Sequence, residues 1–379
     1  AMDIILLIGV AFACFLALLL MVRKEKHLSD KILAAFFVII GLTILLAWFD
    51  FYNRQNNYPL PALLGLSTPL ILLHGPCLWF YIKSLTTKKM SFRPWWLFHF
   101  VPFVLVVAMM TIGYFSLPVD DKIAMEQQNL ISKDPVFYVV VGMIALVSQA
   151  YYIWGLVLIR NYKKKLKSYF SDIQKLRLSW LRILLIYAIV FYAVISLIYI
   201  ADAIFHLFDY HNLQLMGFSV AALFNILIGF QGIRHGDIFA ETSVRNNLEQ
   251  NKPTPSPKDK PESQEERFVQ QLLEYMQKEK PWLEPDLTIA SLSRQLGVNS
   301  DYLSRIINSK LNRNFFDFVN YYRIEAFKSA CRDKENNNYT IMGMAYDAGF
   351  NSKATFNRVF KNATGHTPGE YYREVKSDQ

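Results

Sequence analysis

Four residues near the end of one apolar run, Asp202, His206, Asp209 and His211, are of types that can hold zinc or a similar divalent ion. Asp202 and His206 are four apart and share a helix face. Their spacing matches no established metal motif, and a hydrated loop at head-group depth is the preferred reading. Asp50, His74, His99, Gln149, Asn225 and Gln231 stand in or near other apolar runs. Of these, Asp50, His74, His99, Gln149 and Asn225, together with Asp202, are ligand candidates where a chain crosses a membrane, or such groups hydrogen-bond one helix to another. A third set occupies the last quarter of the chain: Ser300, Asp301, Ser304 and Arg305, then Lys353, Asn357 and Arg358. Arginine suits guanine and asparagine suits adenine in the major groove. Each arginine also has a plainer reading, as a phosphate contact or as half of an intradomain ion pair. Asp301 sits awkwardly beside phosphates and suits helix capping or acceptance from cytosine. Lys310, Arg313 and Lys361 suit phosphates, which position a protein without specifying sequence. No P-loop, GxSxG, HExxH or kinase signature is present, so no enzyme class and no cofactor is implied.

The elements that carry these residues follow from composition. The 379 residues are 53% hydrophobic and only 19% charged, too apolar for an all-soluble protein of this length. The net charge of +9 suits lipid head groups or nucleic acid. Cys14, Cys77 and Cys331 have no CxxC or Cys/His spacing, which excludes a disulfide framework and a zinc finger. Ala1 before Met2 reads as an expression remnant, and the first apolar run as a retained anchor.

Seven stretches are long and apolar enough to span a bilayer: residues 4–22, 32–52, 60–82, 95–117, 136–159, 181–205 and 213–233. Pro69, Gly75 and Pro76 interrupt the third and Pro102 the fourth. The loops after the first, third and fifth carry sixteen Lys and Arg, against three on the alternate loops. The positive-inside bias puts the N-terminus outside and the tail in the cytoplasm, which an odd number of spans also requires. The loop at 160–182 is basic and amphipathic, with Leu166, Tyr169, Phe170, Ile173 and Leu176. It reads as a helix on anionic head groups or an extension of the fifth span. The alternative is a docking surface for the C-terminal domain.

The seam at 234–262 separates two halves. Prolines at 253, 255, 257 and 261 favour extended polyproline II, a tether that cannot carry torque. Residues 234–250 could prolong the seventh span, having Ile238, Phe239, Val244 and Leu248. Beyond the seam, Phe268, Val269, Leu272, Leu273 and Met276 mark an amphipathic helix stopped by Pro281. Residues 288–307 have the form helix, turn at Gly297, second helix. Residues 339–361 repeat it, Ile341 standing for Ile289, Gly349 for Gly297, Phe356 for Leu303 and Arg358 for Arg305. A helix at 315–332 separates the two.

Residues 345–368 (AYDAGFNSKATFNRVFKNATGHTP) and the run Tyr322-Arg-Ile-Glu-Ala326 resemble the AraC/XylS family of transcription regulators. The resemblance covers the last quarter of the chain. It implies two helix-turn-helix subdomains reading successive major grooves, with Arg305 and Arg358 as leading base readers. Many members carry a soluble sensing domain where this chain has apolar spans.

The expected architecture is all-α: a seven-helix transmembrane bundle over residues 2–239, a linker at 240–262 and a soluble DNA-binding domain with two helix-turn-helix motifs at 263–375. The expected function is that of a multi-pass, one-component transcription regulator of the bacterial inner membrane. The expected partners are double-stranded operator DNA, membrane lipid, a small-molecule or lipid signal, a second copy of the chain and RNA polymerase. Two rivals stand beside it: a transporter-like or receptor-like protein with a reporting tail, and passive anchorage of a DNA-binding domain.

Overall fold

The computed structural model describes residues 2–23, 27–87, 90–91, 93–131, 134–173, 178–205, 210–235 and 262–377, and every regular element among them is a helix. The chain forms two compact units. One holds Ala1–Arg160 and Leu178–Glu241, the other Asn161–Arg177 and Thr242–Gln379. The expected domain boundaries did not assign residues 161–177 to the second.

The first unit contains α1 (Met2–Val22), α2 (Leu28–Gln55), α3 (Ser67–Thr86), α4 (Val101–Met110), α5 (Val119–Gln127), α6 (Pro135–Leu166), α7 (Ser179–Phe205) and α8 (Tyr210–His235). The last turns of α6 belong to the second unit. Leu6, Ile44 and Ala222 tie α1, α2 and α8 into one apolar cluster. A Cβ on Gly9 would lie 2.7 Å from the Ala222 Cβ, so α1 and α8 approach more closely than any side chain there would allow. The outward faces stay apolar: Leu18, Val22, Leu197 and Ile200 are all exposed.

Six helical stretches among the described residues are long and apolar enough to cross a membrane. The seventh expected stretch, 213–233, coincides with α8, whose side chains beyond residue 226 lie outside those described. The fourth is not one regular helix. A 3-10 helix at Pro94–Phe100 leads into α4, with Pro102 in its first turn where a missing N–H costs little, and a π turn at Thr111–Phe115 follows. By contrast α3 runs straight through Pro76.

The second unit contains α9 (Glu262–Lys278), α10 (Ile289–Gln295), α11 (Ser300–Lys310), α12 (Phe315–Arg332), α13 (Ile341–Asp347), α14 (Lys353–Thr364) and α15 (Pro368–Ser377). Side chains of Thr288, Asn299, Asn314, Thr340 and Ser352 cap α10 to α14 in turn, each accepting from a backbone N–H of the first turn. Leu272, Met276, Leu287, Leu292, Leu303, Ile306 and Val319 form the first core. Phe327, Phe356 and Phe360 centre the second, with ring centroids 4.8 and 5.3 Å from Phe327. Gly349, at φ 84°, makes the second motif's turn, and a Cβ there would collide with the backbone of Trp282 and Leu283.

Candidate nucleic-acid interface

The two reading helices are α11 and α14. Each buries one apolar stripe, Tyr302, Leu303, Ile306 and Ile307 in α11 and Phe356, Val359 and Phe360 in α14. What remains outward is the surface available to DNA. In α14, Lys353, Asn357 and Lys361 are exposed and Arg358 is half-buried. In α11, Asp301 and Arg305 are exposed. Ser300 instead turns to Ser293, with the two Oγ atoms 2.8 Å apart. Ser304 is half-buried, its Oγ 3.4 Å from Asn308 Nδ2. The side chain that caps α11 is Asn299, whose Oδ1 accepts from the Asp301 amide at 2.8 Å. Asp301 therefore serves the first turn as a negative charge near the helix N-terminus, not as the capping acceptor.

The basic residues are not all turned to solvent alone. Arg305 Nη1 lies 2.9 Å from Glu265 Oε1, and Lys310 Nζ lies 3.4 Å from Glu265 Oε2. Arg305 also lies over the Tyr302 ring and Arg313 over the Tyr321 ring, at 5.4 and 4.3 Å from the centroids. Arg305 thus has the intradomain ion pair that was its plainer reading, while its side chain keeps 47% exposure.

The other component of this unit comes from far upstream. After α6 ends at Leu166, a turn at residues 167–169 leads into residues 170–173, which lie along the helix-turn-helix core. Phe170 and Thr288 form an antiparallel bridge. The Ile289 N–H donates to Tyr169 O at 2.9 Å, and the Phe316 N–H to Lys167 O at 2.9 Å. Ser171 donates its N–H and its Oγ–H to Leu287 O, at 3.2 and 2.7 Å. Asn320 Nδ2 donates to Ser171 O at 2.9 Å. Thr355, in the first turn of α14, donates to Asp172 Oδ1 at 3.1 Å. Leu166, Phe170, Ser171 and Ile173 are all buried.

Arg323 closes this junction. It is 1% exposed, and its guanidinium donates to Trp282 O at 2.8 Å, Glu284 O at 2.7 Å, Pro285 O at 3.2 Å and Ser171 Oγ at 3.3 Å. Burial pulls its pKa down to about 10, opposed by the carboxylates of Asp172, Asp286 and Glu284, so it stays charged at neutral pH. Burial, then the Asp301 carboxylate, pushes the Tyr169 phenol above its usual range. The segment therefore reaches α10, α12 and α14. Sequence reasoning preferred lipid head groups or an extension of the fifth span for its apolar residues, with a docking surface for the C-terminal domain as the alternative; they are packed against that domain. Leu176 lies outside the described residues.

A Helix-turn-helix domain family matches residues 292–374. That stretch begins within α10 and ends within α15, enclosing both turns. The C-terminal part of the chain is a helix-turn-helix domain of the AraC type. An HTH-type transcriptional regulator of Staphylococcus aureus (strain COL) is 36% identical over 86 residues, 23% of this chain and 11% of that protein. The HTH-type transcriptional regulator YtdP of Bacillus subtilis (strain 168) is 29% identical over 94 residues, 25% of this chain and 12% of YtdP. The chain thus matches only about a ninth of these relatives' length. A solved structure of a Listeria innocua protein covers 28% of this chain at 25% identity, with a TM-score of 0.25.

The matched residues 292–374 are a helix-turn-helix domain, a DNA-binding module. The match stops short of residues 161–173 and of α9, so the strap and Glu265 lie beyond what it describes.

The polar candidates of the other unit have mostly structural partners. Asp50 accepts from the Gly65 N–H and from Ser67 Oγ, both at 3.0 Å, and so fixes the entry to α3. His74 Nε2 lies 3.0 Å from Thr43 Oγ1. His99 Nδ1 lies 2.7 Å from the Tyr151 hydroxyl within a box of Trp79, Trp95 and Trp154 rings. Gln149 Nε2 donates to Ile189 O at 3.0 Å, and Asn225 Nδ2 to Gly9 O at 3.3 Å. Asp202 is half-buried. His206, Asp209 and the Gln231 side chain lie outside the described residues; His211 Nε2 lies 3.1 Å from Glu126 O. No group of three metal-binding side chains occurs among the described residues. Sequence reasoning passed over Glu126, which is buried and paired with Arg54 at 3.0 Å. Arg54 was its one available signal, a lone cation on a loop otherwise free of charge.

Proposed function

We propose that the chain is a membrane-bound, one-component transcription regulator. Its apolar helices hold it in the inner membrane and receive a signal, and its AraC-type domain binds operator DNA from the cytoplasmic side. The helices long and apolar enough to span, together with the excess of Lys and Arg on one set of loops, support the membrane reading. The observation that carries the coupling is the strap. Residues 166–173 connect α6 to α7, yet their backbone and side chains are bonded into the helix-turn-helix core. A mere anchor would need only a tether. Here a shift in α6 acts directly on Leu287, Asn320, Arg323 and the start of α14. Two chains on paired half-sites, recruiting RNA polymerase, complete the scheme.

The test uses the full chain in membrane vesicles washed at high pH. Selection of random duplexes on those vesicles should return a consensus, and the protein should stay in the membrane pellet throughout. Release into the supernatant, or selection without a consensus, overturns the proposal.

A further inference from the structure

Unit 1 contains a partly open cavity of about 180 Å³, lined by α2, α3, α6, α7 and α8. Its walls are aliphatic and aromatic, and no Asp, Glu, Lys or Arg is among the lining residues described. A charged molecule would lose its hydration there without a partner. The polar groups of the wall are largely satisfied by one another. Thr43 bonds Ile39 O and His74, and Ser196 donates to Tyr192 O at 2.7 Å. Asn225 is the exception. It is 1% exposed, its Nδ2 is committed to Gly9 O, and its Oδ1 is buried without a hydrogen-bond partner, alone in this among the described lining side chains. An amide oxygen accepts and cannot donate. A buried acceptor left unmet is costly, so an occupant that brings one donor gains more than one that does not.

We infer that this cavity binds a neutral, mainly apolar molecule carrying one hydroxyl, the hydroxyl donating to Asn225 Oδ1 and the apolar body lying between α2, α3, α6 and α7. A comparable apolar cavity of about 150 Å³ accepts benzene, so the occupant is roughly one ring with a short side chain, or an aliphatic chain of similar bulk. The inference rests on the reading of these helices as a membrane bundle, and it supplies the chemical class of the signal that reading requires.

Gly217 offers a clean test. It lines the cavity, and a Cβ built on it meets no atom within 4 Å, so a large side chain there would grow into empty space. The full chain is placed in lipid nanodiscs without DNA and titrated with 2-phenylethanol and, separately, ethylbenzene, reading the thermal unfolding midpoint. The wild type should show a saturable rise with both, with 2-phenylethanol about three- to tenfold tighter, the worth of one hydrogen bond. Gly217→Phe should lose both responses. Asn225→Leu should keep the ethylbenzene response and lose the preference for the alcohol. Equal affinities in the wild type, or a wild-type response surviving in Gly217→Phe, overturns the inference. No saturable response in the wild type does so too and leaves Asn225 to an ordered water. Failure of the chain to enter nanodiscs would appear before any probe is added and counts against the membrane reading instead.

Discussion

Glu265 Oε1 sits 2.9 Å from Arg305 Nη1, and its second oxygen sits 3.4 Å from Lys310 Nζ. One carboxylate from α9 therefore occupies two cations of the first reading helix. A phosphate or guanine arriving at α11 competes with it. Glu265→Gln should tighten operator binding by about two- to fivefold, the scale of a partly exposed ion pair. It should also steepen the salt dependence of log K by about one, as freed cations take up phosphates. Titration of full chain against one operator at several salt concentrations reads both. Weaker binding would mean that Glu265 holds Arg305 in its reading pose.

Arg358 occupies in α14 the position that Arg305 has in α11. Arg358→Ala should relax preference at one base pair, by about 1–3 kcal/mol, and leave the other positions unchanged. Competition among single-base operator variants measures this. Uniform weakening on every duplex would assign Arg358 to a phosphate.

Two connections could carry a signal to the helix-turn-helix domain, the seam and the strap. Residues 251–261 lie outside the described residues, and their proline content sets the expectation that they transmit no rotation. A Gly/Ser run in place of residues 253–261 should therefore leave the response to stimulus largely intact. Ser171→Pro removes the N–H that meets Leu287 O and the hydroxyl that bonds Leu287 and Arg323. It should abolish the response while the protein stays in the membrane. A transcriptional reporter with cell fractionation distinguishes the two, and the opposite pattern would return the signal to the seam.

At the other end of the domain, Glu370 Oε2 accepts from the Thr367 N–H at 2.7 Å, and this bond holds its carboxyl below the usual range. A carboxylate with a lowered folded pKa helps the folded state above its unfolded value, and that help is lost as pH falls through the lower folded value. Amide exchange at Thr367 should quicken only in that acid window. In Glu370→Gln it should show no such pH step.

The helices were legible because their signals are local. Gly297 and Gly349 announce the two turns, and Pro281 the end of the helix before them. The repeated pattern of Ile289 and Ile341, Leu303 and Phe356, is enough to place the second helix of each motif. The strap was legible only as the second reading of its loop, because nothing in Tyr169, Phe170 or Ile173 distinguishes burial in protein from contact with lipid. Its partners lie up to 183 residues away, as Thr355 does from Asp172. Arg323 itself stood inside the family-like run at 322–326 and drew attention only as part of a spacer helix. Arg305 was visible as a cation facing outward, but its partner Glu265 sits on a helix whose approach no periodicity specifies.

The strap also sets where this protein can be cut and joined. A helix-turn-helix domain exchanged at residue 262 would arrive without Leu166, Phe170 and Ile173, and its acceptor surface along Leu287, Asn320 and Arg323 would face water. The heritable unit is accordingly split, a C-terminal segment together with a short insert between α6 and α7. Recombination that exchanges this helix-turn-helix domain must move both pieces, or be followed by changes that refit one to the other.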